Sequence, residues 1–145
     1  KLSPETMGRK FQVGSLEEIM TICQEVEGTQ LVIDWGHLHA RHLGALKKTD
    51  DFRLIAEKVE KTLGTEALKN MHCHFSKIEF NSQGERKHHP LDEKRYGPDF
   101  GMLAQVIVDF NLHPTMICES PMLDLDAIRM RETLKQVMES KTASA

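Results

Sequence analysis

Amphipathic helical stretches alternate with short apolar runs along most of the chain, and this alternation limits the folds available to it. Ser15 and Glu18 form a capping-box pattern ahead of a helical stripe that stops at Gly28. The apolar run at 31–33 then ends in Asp34, as a buried parallel strand does. Followed to the C-terminus, the pattern has the order α-β-α-β-α-β-α, which predicts an α/β fold of parallel strands joined by crossover helices.

The later elements of this order are less sharply bounded. They are a helix capped by Asp50 or Asp51 and stopped by Gly64, a short helical turn at 65–68, a strand at 70–75, a helix from about 100 to 110, a strand at 115–119 and a helix from about 124 to 138. Residues 76–98 are polar and are predicted as a long loop, either functional or disordered. We expect one domain over residues 1–138 and a frayed tail over 139–145.

Composition excludes several classes of protein. With 39% hydrophobic residues the chain can build a core, but no apolar run approaches the roughly 18 residues of a membrane span, so we expect no membrane partner. The net charge of −3 gives no overall basic field, so a nucleic acid would have to be held by local groups or metals. Three cysteines without a CxxC motif argue against a disulfide framework and favour a cytoplasmic protein.

Four acid or imidazole residues fall near the ends of predicted strands. Asp34 ends the first strand, His72 lies in the second and Glu119 ends the third, while Glu5 stands where a preceding strand would end. The C-terminal ends of parallel strands share one rim. The spacing suits four consecutive units of a (β/α)₈ barrel, which takes about 250 residues in all. We therefore expect the C-terminal half of a TIM barrel, whose N-terminal half is absent from this chain.

These four side chains form an oxygen and nitrogen ligand set. Such ligands suit Zn²⁺, Mn²⁺ and similar divalent ions. Carboxylates gathered at one rim repel each other unless a cation lies among them. The alternative is that each acid only caps a following helix, where the helix dipole favours negative charge. The recurrence at four consecutive strand ends favours the metal site.

Histidines and cations beyond the strands extend the candidate site. His37 lies three residues after Asp34, and His88 lies in the long polar loop, so the two could hold a further metal. Loop histidines are often simply solvated, and that alternative stays open for both. The candidates for contacts to substrate or phosphate are Arg41, His74, Lys77 and Arg86.

Four strings of the sequence are similar to motifs of one enzyme family. They are Pro4-Glu5-Thr6-Met7-Gly8, Ile33-Asp34-Trp35-Gly36-His37-Leu38-His39-Ala40-Arg41, Met71-His72-Cys73-His74-Phe75-Ser76-Lys77 and Ile117-Cys118-Glu119-Ser120-Pro121. Together they resemble the endonuclease IV family, the apurinic/apyrimidinic endonuclease branch of the xylose-isomerase-like TIM barrels. The similarity runs from Pro4 to the last helix and implies the second half of that barrel, from the end of its fifth strand onward.

The resemblance implies a zinc centre with Glu5 as the catalytic residue. Glu5 would be the carboxylate that bridges two zinc ions, where it is best placed to orient the attacking water. The residues of this chain that would complete one of those two sites are Asp34, His72 and Glu119. The family's other histidine ligands come from strands that this chain lacks.

A third zinc is implied by His37 and His88, but here the sequence departs from the family. The family has an Asp two residues before the loop histidine, whereas this chain has Arg86 at that position. Glu85 is adjacent and is the available substitute. The resemblance therefore implies two or three Zn²⁺, with Mn²⁺ as the other candidate.

The implied activity is metal-dependent hydrolysis of the phosphodiester on the 5′ side of an abasic nucleotide in double-stranded DNA. It would leave a 3′-hydroxyl and a 5′-deoxyribose phosphate. Because half of the barrel is absent, we expect this fragment to be inactive alone and to bind the missing N-terminal half or to self-associate.

Two other functions stay open on the sequence. A sugar isomerase or epimerase of the xylose-isomerase-like group would use one divalent metal held by Glu5, Asp34, His72 and Glu119. A non-catalytic half-barrel could bind a metal or a partner without turnover. The choice between nuclease and isomerase depends on whether His37 and His88 hold a further metal.

Overall fold

The computed structural model describes residues 1–143. The strands in this part of the chain are β1 (Val32–Asp34), β2 (His72–Phe75), β3 (Lys77–Asn81), β4 (Gly84–His89) and β5 (Thr115–Cys118). The helices are α1 (Leu16–Glu25), α2 (Trp35–Arg41), α3 (Thr49–Leu63), α4 (Thr65–Lys69), α5 (Phe100–Asp109) and α6 (Asp124–Ala143).

The central sheet is parallel, with the strand order β1-β2-β5. The segment before α1 extends it, since Leu2 pairs with Thr29 and Glu5 pairs with Val32 in parallel bridges. Four parallel segments connected through helices make a partial α/β barrel, as the alternating pattern predicted. Their C-terminal ends therefore point to one rim.

The core lies between this sheet and the helices that cover it. Trp35, Phe52 and Phe75 are fully buried, and the ring centroids of Trp35 and Phe52 lie 5.4 Å apart. Helix α3 packs against α1 and α5, and α5 packs against α6. Because interiors are close-packed, this core fixes where the strand ends stand.

Helix α1 begins with the predicted capping box. The Glu18 amide donates to the Ser15 hydroxyl at 3.2 Å, and the Ser15 amide donates to the Glu18 carboxylate at 2.8 Å. Helix α3 begins at Thr49 with Lys48 as the N-cap, two or three residues earlier than a cap at Asp50 or Asp51 implies. The Asp51 carboxylate accepts from the Lys48 amide at 2.9 Å, so it acts from inside the first turn instead of preceding it.

Three segments differ from the sequence-based expectation. Residues 35–41 form helix α2 instead of a loop, because the Asp34 carboxylate caps it by accepting from the His37 amide at 2.7 Å. The polar stretch 76–98 contains the antiparallel hairpin β3–β4 instead of a structureless loop. Helix α6 continues to Ala143, so residues 139–143 are helical and not frayed, whereas 144 and 145 lie outside the described residues.

Helix α6 is the longest helix, with 20 residues, and most of it is exposed. Its buried Asp126 accepts from the Leu91 amide at 2.8 Å and from Arg129 at 2.6 Å, which ties the chain after the hairpin to the helix. Within residues 1–143, no helix combines the length and the apolar character needed to cross a membrane.

Candidate metal centre

A first cluster of donors lies where the four parallel segments end. It consists of Glu5, Asp34, His74 and Glu119, whose ligand atoms all lie within 4.8 Å of one another. The His74 Nδ1 atom is 3.1 Å from Glu5 Oε1 and 3.2 Å from Glu119 Oε1. Three carboxylates and one imidazole converge here from residues far apart in the sequence. This is an oxygen and nitrogen donor set of the kind that binds Zn²⁺ or Mn²⁺.

The histidine in this cluster is His74, not His72 as we predicted. Strand β2 pairs with β1 so that Asp34 lies beside His74, while His72 lies two residues farther from the rim. The Nε2 atoms of His72 and His74 are 3.2 Å apart. A proton on His74 Nε2 in this contact leaves the Nδ1 lone pair of His74 directed at the carboxylates. In that tautomer His72 orients the donor His74 and is not itself a donor. His74, which we predicted as a substrate contact, is therefore the imidazole of this candidate donor set.

Asp34 carries the clearest mark of a cation site. Its side chain is 0% exposed, and its Oδ1 accepts from the His37 amide. Its Oδ2 has no hydrogen-bond partner among residues 1–143. Burial raises the pKa of this carboxyl above its usual range, against the opposing effect of His37. A divalent cation would partner the orphaned oxygen and keep the group ionised, so the residues present fit a metal.

Thr6 fixes the two strand ends that carry Glu5 and Asp34. Its hydroxyl accepts from the Asp34 amide at 2.9 Å and lies 3.3 Å from the Asp34 carbonyl, to which it donates. Burial favours a higher pKa for Glu5, but the neighbouring His37 and His74 outweigh it and hold the pKa below its usual value. The Glu5 carboxylate is therefore ionised at neutral pH.

A second cluster lies beside the first and consists of His37, Glu85 and His88. The His37 Nε2 atom is 3.5 Å from Glu85 Oε2, and the His88 Nε2 atom is 3.5 Å from Glu85 Oε1. The predicted loop histidine thus meets His37. The carboxylate between them comes from Glu85, the substitute that we considered for the acid missing at Arg86.

Both histidines of the second cluster have their other ring nitrogen fixed. His37 Nδ1 lies 2.9 Å from the Thr6 carbonyl, which can only accept, so this nitrogen carries a proton. His88 Nδ1 lies 2.8 Å from the Ser76 hydroxyl. Hydrogen bonds of this kind set the tautomer and orientation of metal-binding histidines and leave both Nε2 atoms directed at Glu85.

His37 also connects the two clusters. Its Nδ1 lies 3.3 Å from Glu5 Oε1 and 3.7 Å from Asp34 Oδ2. Burial favours a lower pKa for this imidazole, but Glu5 and Asp34 reverse the effect and raise its pKa to about 9. A cation at Nε2 would replace the proton there, as metal binding to histidine requires.

Two of the residues predicted to contact substrate, Arg41 and Lys77, donate hydrogen bonds to backbone carbonyls. One guanidinium nitrogen of Arg41 donates to the carbonyls of Met7, Arg9 and Gln12 at 3.3, 2.7 and 3.1 Å, so Arg41 holds a loop together. The Lys77 ammonium donates to a backbone carbonyl in the segment that follows the hairpin. Both cations thus have backbone carbonyls as partners, and their contact with substrate stays a prediction.

Arg86 is placed differently from these two cations. It is exposed, and it lines a groove of about 560 Å³ next to the second cluster, together with Arg9 and Phe11. Glu85 lines both the groove and the cluster. Arg86 therefore stays a candidate for contact with substrate.

The chain is similar to known proteins along most of its length. Over residues 1–140 it matches the family described as xylose isomerase-like TIM barrel, and it belongs to that family. It is 38% identical over 136 residues to an uncharacterized protein of the archaeon Methanocaldococcus jannaschii, an alignment that covers 94% of this chain and 49% of that relative. The chain thus spans about half the length of the curated relative it matches.

Proposed function

We propose that this member of the family forms part of the active site of a metal-dependent phosphodiesterase of the endonuclease IV type, which cleaves DNA on the 5′ side of abasic nucleotides. One observation carries the proposal. A second donor cluster adjoins the four-residue cluster, and the two approach within 3.3 Å between Glu5 Oε1 and His37 Nδ1. Adjacent metal sites suit phosphoryl chemistry, because charge develops on both the attacking and the leaving oxygen.

The donor set fits Zn²⁺ or Mn²⁺, and the roles of the residues follow from their positions. A bound divalent ion would offset negative charge on the phosphate oxygens and make water a better nucleophile at neutral pH. Glu5 is ionised and lies between the clusters, so it can accept a hydrogen bond from the attacking water and orient it. We assign Glu5 as the catalytic residue, with Asp34, His74 and Glu119 as donors of the first site.

The proposed substrate is consistent with the weak charge of the chain. An abasic nucleotide lacks stacking and pairing energy, so it leaves the helix at little cost. Exposed Arg86 and Arg9 beside the second cluster can contact backbone phosphates. With a net charge of −3, the sequence-independent part of DNA binding is modest, and the metals carry much of the attraction.

The complete site needs more chain than these four strand segments. Among residues 1–143, strand β5 pairs with β2 on one side, and the parallel bridges of the segment before α1 run from Leu2 to Thr29 and from Glu5 to Val32. We propose that an N-terminal half-barrel, or a second copy of this chain, covers these edges and supplies further ligands. The three cysteines are free thiols, which suits our placement of the reaction in the cytoplasm.

A divalent-metal sugar isomerase or epimerase is the second candidate function. It is favoured by the first cluster taken alone, because one metal held by Glu5, Asp34, His74 and Glu119 could polarise a carbonyl while glutamates move protons. The second cluster has no part in that chemistry.

The test combines metal analysis with two activity assays on the complete barrel that contains this chain. We expect zinc in both clusters, cleavage of a duplex that carries one abasic site, and no isomerisation of aldoses. Glu5→Gln should abolish cleavage while the far-ultraviolet circular dichroism stays unchanged. Occupation of only the first cluster together with aldose isomerisation would replace the nuclease with the isomerase.

A further inference from the structure

The strand that carries Glu85 and His88 contains one extra residue. On hairpin β3–β4, Ile78 pairs with His88 and Glu79 pairs with Lys87, but Phe80 pairs with Glu85. The register therefore shifts by one between Glu79 and Phe80, and Arg86 has no partner across the hairpin. This is a β-bulge, in which two residues of one strand oppose one residue of the other.

The bulge changes which side chains share a face. Successive residues of a regular strand point to opposite faces, so residues three apart, such as Glu85 and His88, would normally point away from each other. Cross-strand partners share a face, and Ile78 and Phe80 lie on the same face of β3. Their partners His88 and Glu85 therefore share that face, and they do so only because Arg86 is bulged.

We propose that the bulge at Arg86 is the positioning element of the second metal site, because it selects Glu85 and excludes residue 86 as the carboxylate donor. This inference rests on the proposed function, since it assumes that the second cluster holds a metal. It also accounts for the spacing of the sequence: a carboxylate two residues before His88 suits a regular strand, and one three residues before suits a bulged strand.

Contacts on either side of the bulge support this role. The Glu85 amide donates to the Gly8 carbonyl at 3.1 Å, and a side chain on Gly8 would begin 2.6 Å from Glu85 Cβ, so this end of β4 is tightly held. At the other end, His88 is held by Ser76 at 2.8 Å. Arg86 is exposed between these two fixed points, and its side chain makes no ion pair with the cluster among residues 1–143.

The proposal predicts opposite results for two variants of the chain. Exchange of neighbours, Glu85→Arg with Arg86→Glu, keeps length and composition but moves the carboxylate to the bulged position. Deletion of Arg86 removes the bulge and leaves Glu85 two residues before His88, so both side chains keep a common face. Because the turn side of the hairpin keeps its pairs, the deletion changes little else.

The readout is Co²⁺ titration of each purified variant, followed by visible absorption and by metal content per chain. We expect the exchange to lower the Co²⁺ content by about one ion per chain, and the deletion to keep the wild-type content and spectrum. Glu85→Gln, which has nearly the same shape as Glu85, should lose the same ion as the exchange. Far-ultraviolet circular dichroism checks the fold of all three.

Three results would contradict the inference. Retention of the ion by the exchange variant, its loss on deletion of Arg86, or its retention in Glu85→Gln would overturn it. Because the readout is metal content, failure of the proposed nuclease activity is a separate result. A protein that binds both ions but cleaves no abasic DNA would refute the proposed function and leave the positioning role of the bulge intact.

Discussion

The two donor clusters stand on different kinds of backbone. The first uses the ends of parallel strand segments, where Asp34 and His74 are brought side by side by regular pairing. The second uses one turn of helix α2 and a bulged antiparallel hairpin, and neither belongs to the central sheet. Strand register places the donors of the first cluster, with support from contacts such as that between His72 and His74. The second cluster is placed by a helix turn and a bulge, with support from contacts such as that between Ser76 and His88.

Among the substitutions that distinguish the two clusters, we expect the largest effect at Asp34. Asp34→Asn keeps the acceptor for the His37 amide but removes the charge of the buried carboxylate. We expect the metal content to fall by about one ion per chain and cleavage by the complete barrel to fall by about 100- to 1000-fold. Elemental analysis and a single-turnover assay on abasic duplex measure the two quantities.

The matched control for this variant is Asp50→Asn, which changes an exposed carboxylate that pairs with Arg53 at 3.7 Å. It should leave metal content and cleavage unchanged. Wild-type metal content in Asp34→Asn would show that the first cluster does not use this carboxylate.

A smaller effect is expected where His72 supports the first cluster. His72→Ala removes the partner of His74 Nε2 but no proposed ligand. We expect the affinity of the first cluster for Zn²⁺ to fall by about 10- to 100-fold, with the second cluster unchanged. Competition with a chromophoric chelator measures both affinities, and an equal loss at both clusters would contradict the assignment.

The corresponding change in the second cluster is Ser76→Ala. Ser76 is fully buried and contacts His88 Nδ1, so its loss frees the imidazole to rotate. The expected loss of affinity is again about 10- to 100-fold, now confined to the second cluster. The two alanine variants serve as controls for each other, because each should weaken the cluster that the other leaves intact.

The smallest effect is expected for a substitution of Glu18, at the end of the loop that borders the second cluster. Glu18 accepts from the amides of Gly14 and Ser15, and these hydrogen bonds lower its pKa from 4.5 to about 2. Since the folded-state pKa is depressed, its stabilising effect is present above pH 4.5 and is lost as the pH falls toward 2. Glu18→Gln should therefore melt slightly lower than wild type at pH 7, and the difference should shrink below pH 4.5.

Thermal unfolding followed by circular dichroism at several pH values measures this difference. A gap between the two melting temperatures that stayed constant from pH 7 to pH 3 would show that the charge of Glu18 contributes nothing to the cap.

The fold could be predicted largely because its helices and strands carry repeated apolar positions. Ser15 and Glu18 gave the start of α1, and the order of elements gave the parallel strands. Helix α2 was missed because Asp34 serves two elements, since it ends β1 and caps the next helix. The hairpin was missed because the apolar alternation of β3 consists of little more than Ile78 and Phe80.

The sequence predicted those site residues whose place depends only on where a strand ends. It did not predict those whose place depends on the register between strands. Glu5, Asp34 and Glu119 follow predicted strand segments, and the structure brings them together. His72 and His74 point to the same face of β2, so only the pairing with Asp34 distinguishes them. Glu85 could be named only as a substitute for the acid missing at Arg86, because a one-residue bulge cannot be seen in the spacing of a polar stretch.

The anchoring of the 7–12 loop by Arg41 has a consequence for how the chain could be engineered. Arg41 holds carbonyl oxygens, which every amino acid possesses, so the shape of the loop does not depend on which side chains it carries. Arg9 and Phe11 project from this stretch and are exposed. These two side chains can therefore be substituted while the backbone of the loop keeps its conformation. This makes the loop suitable for engineering.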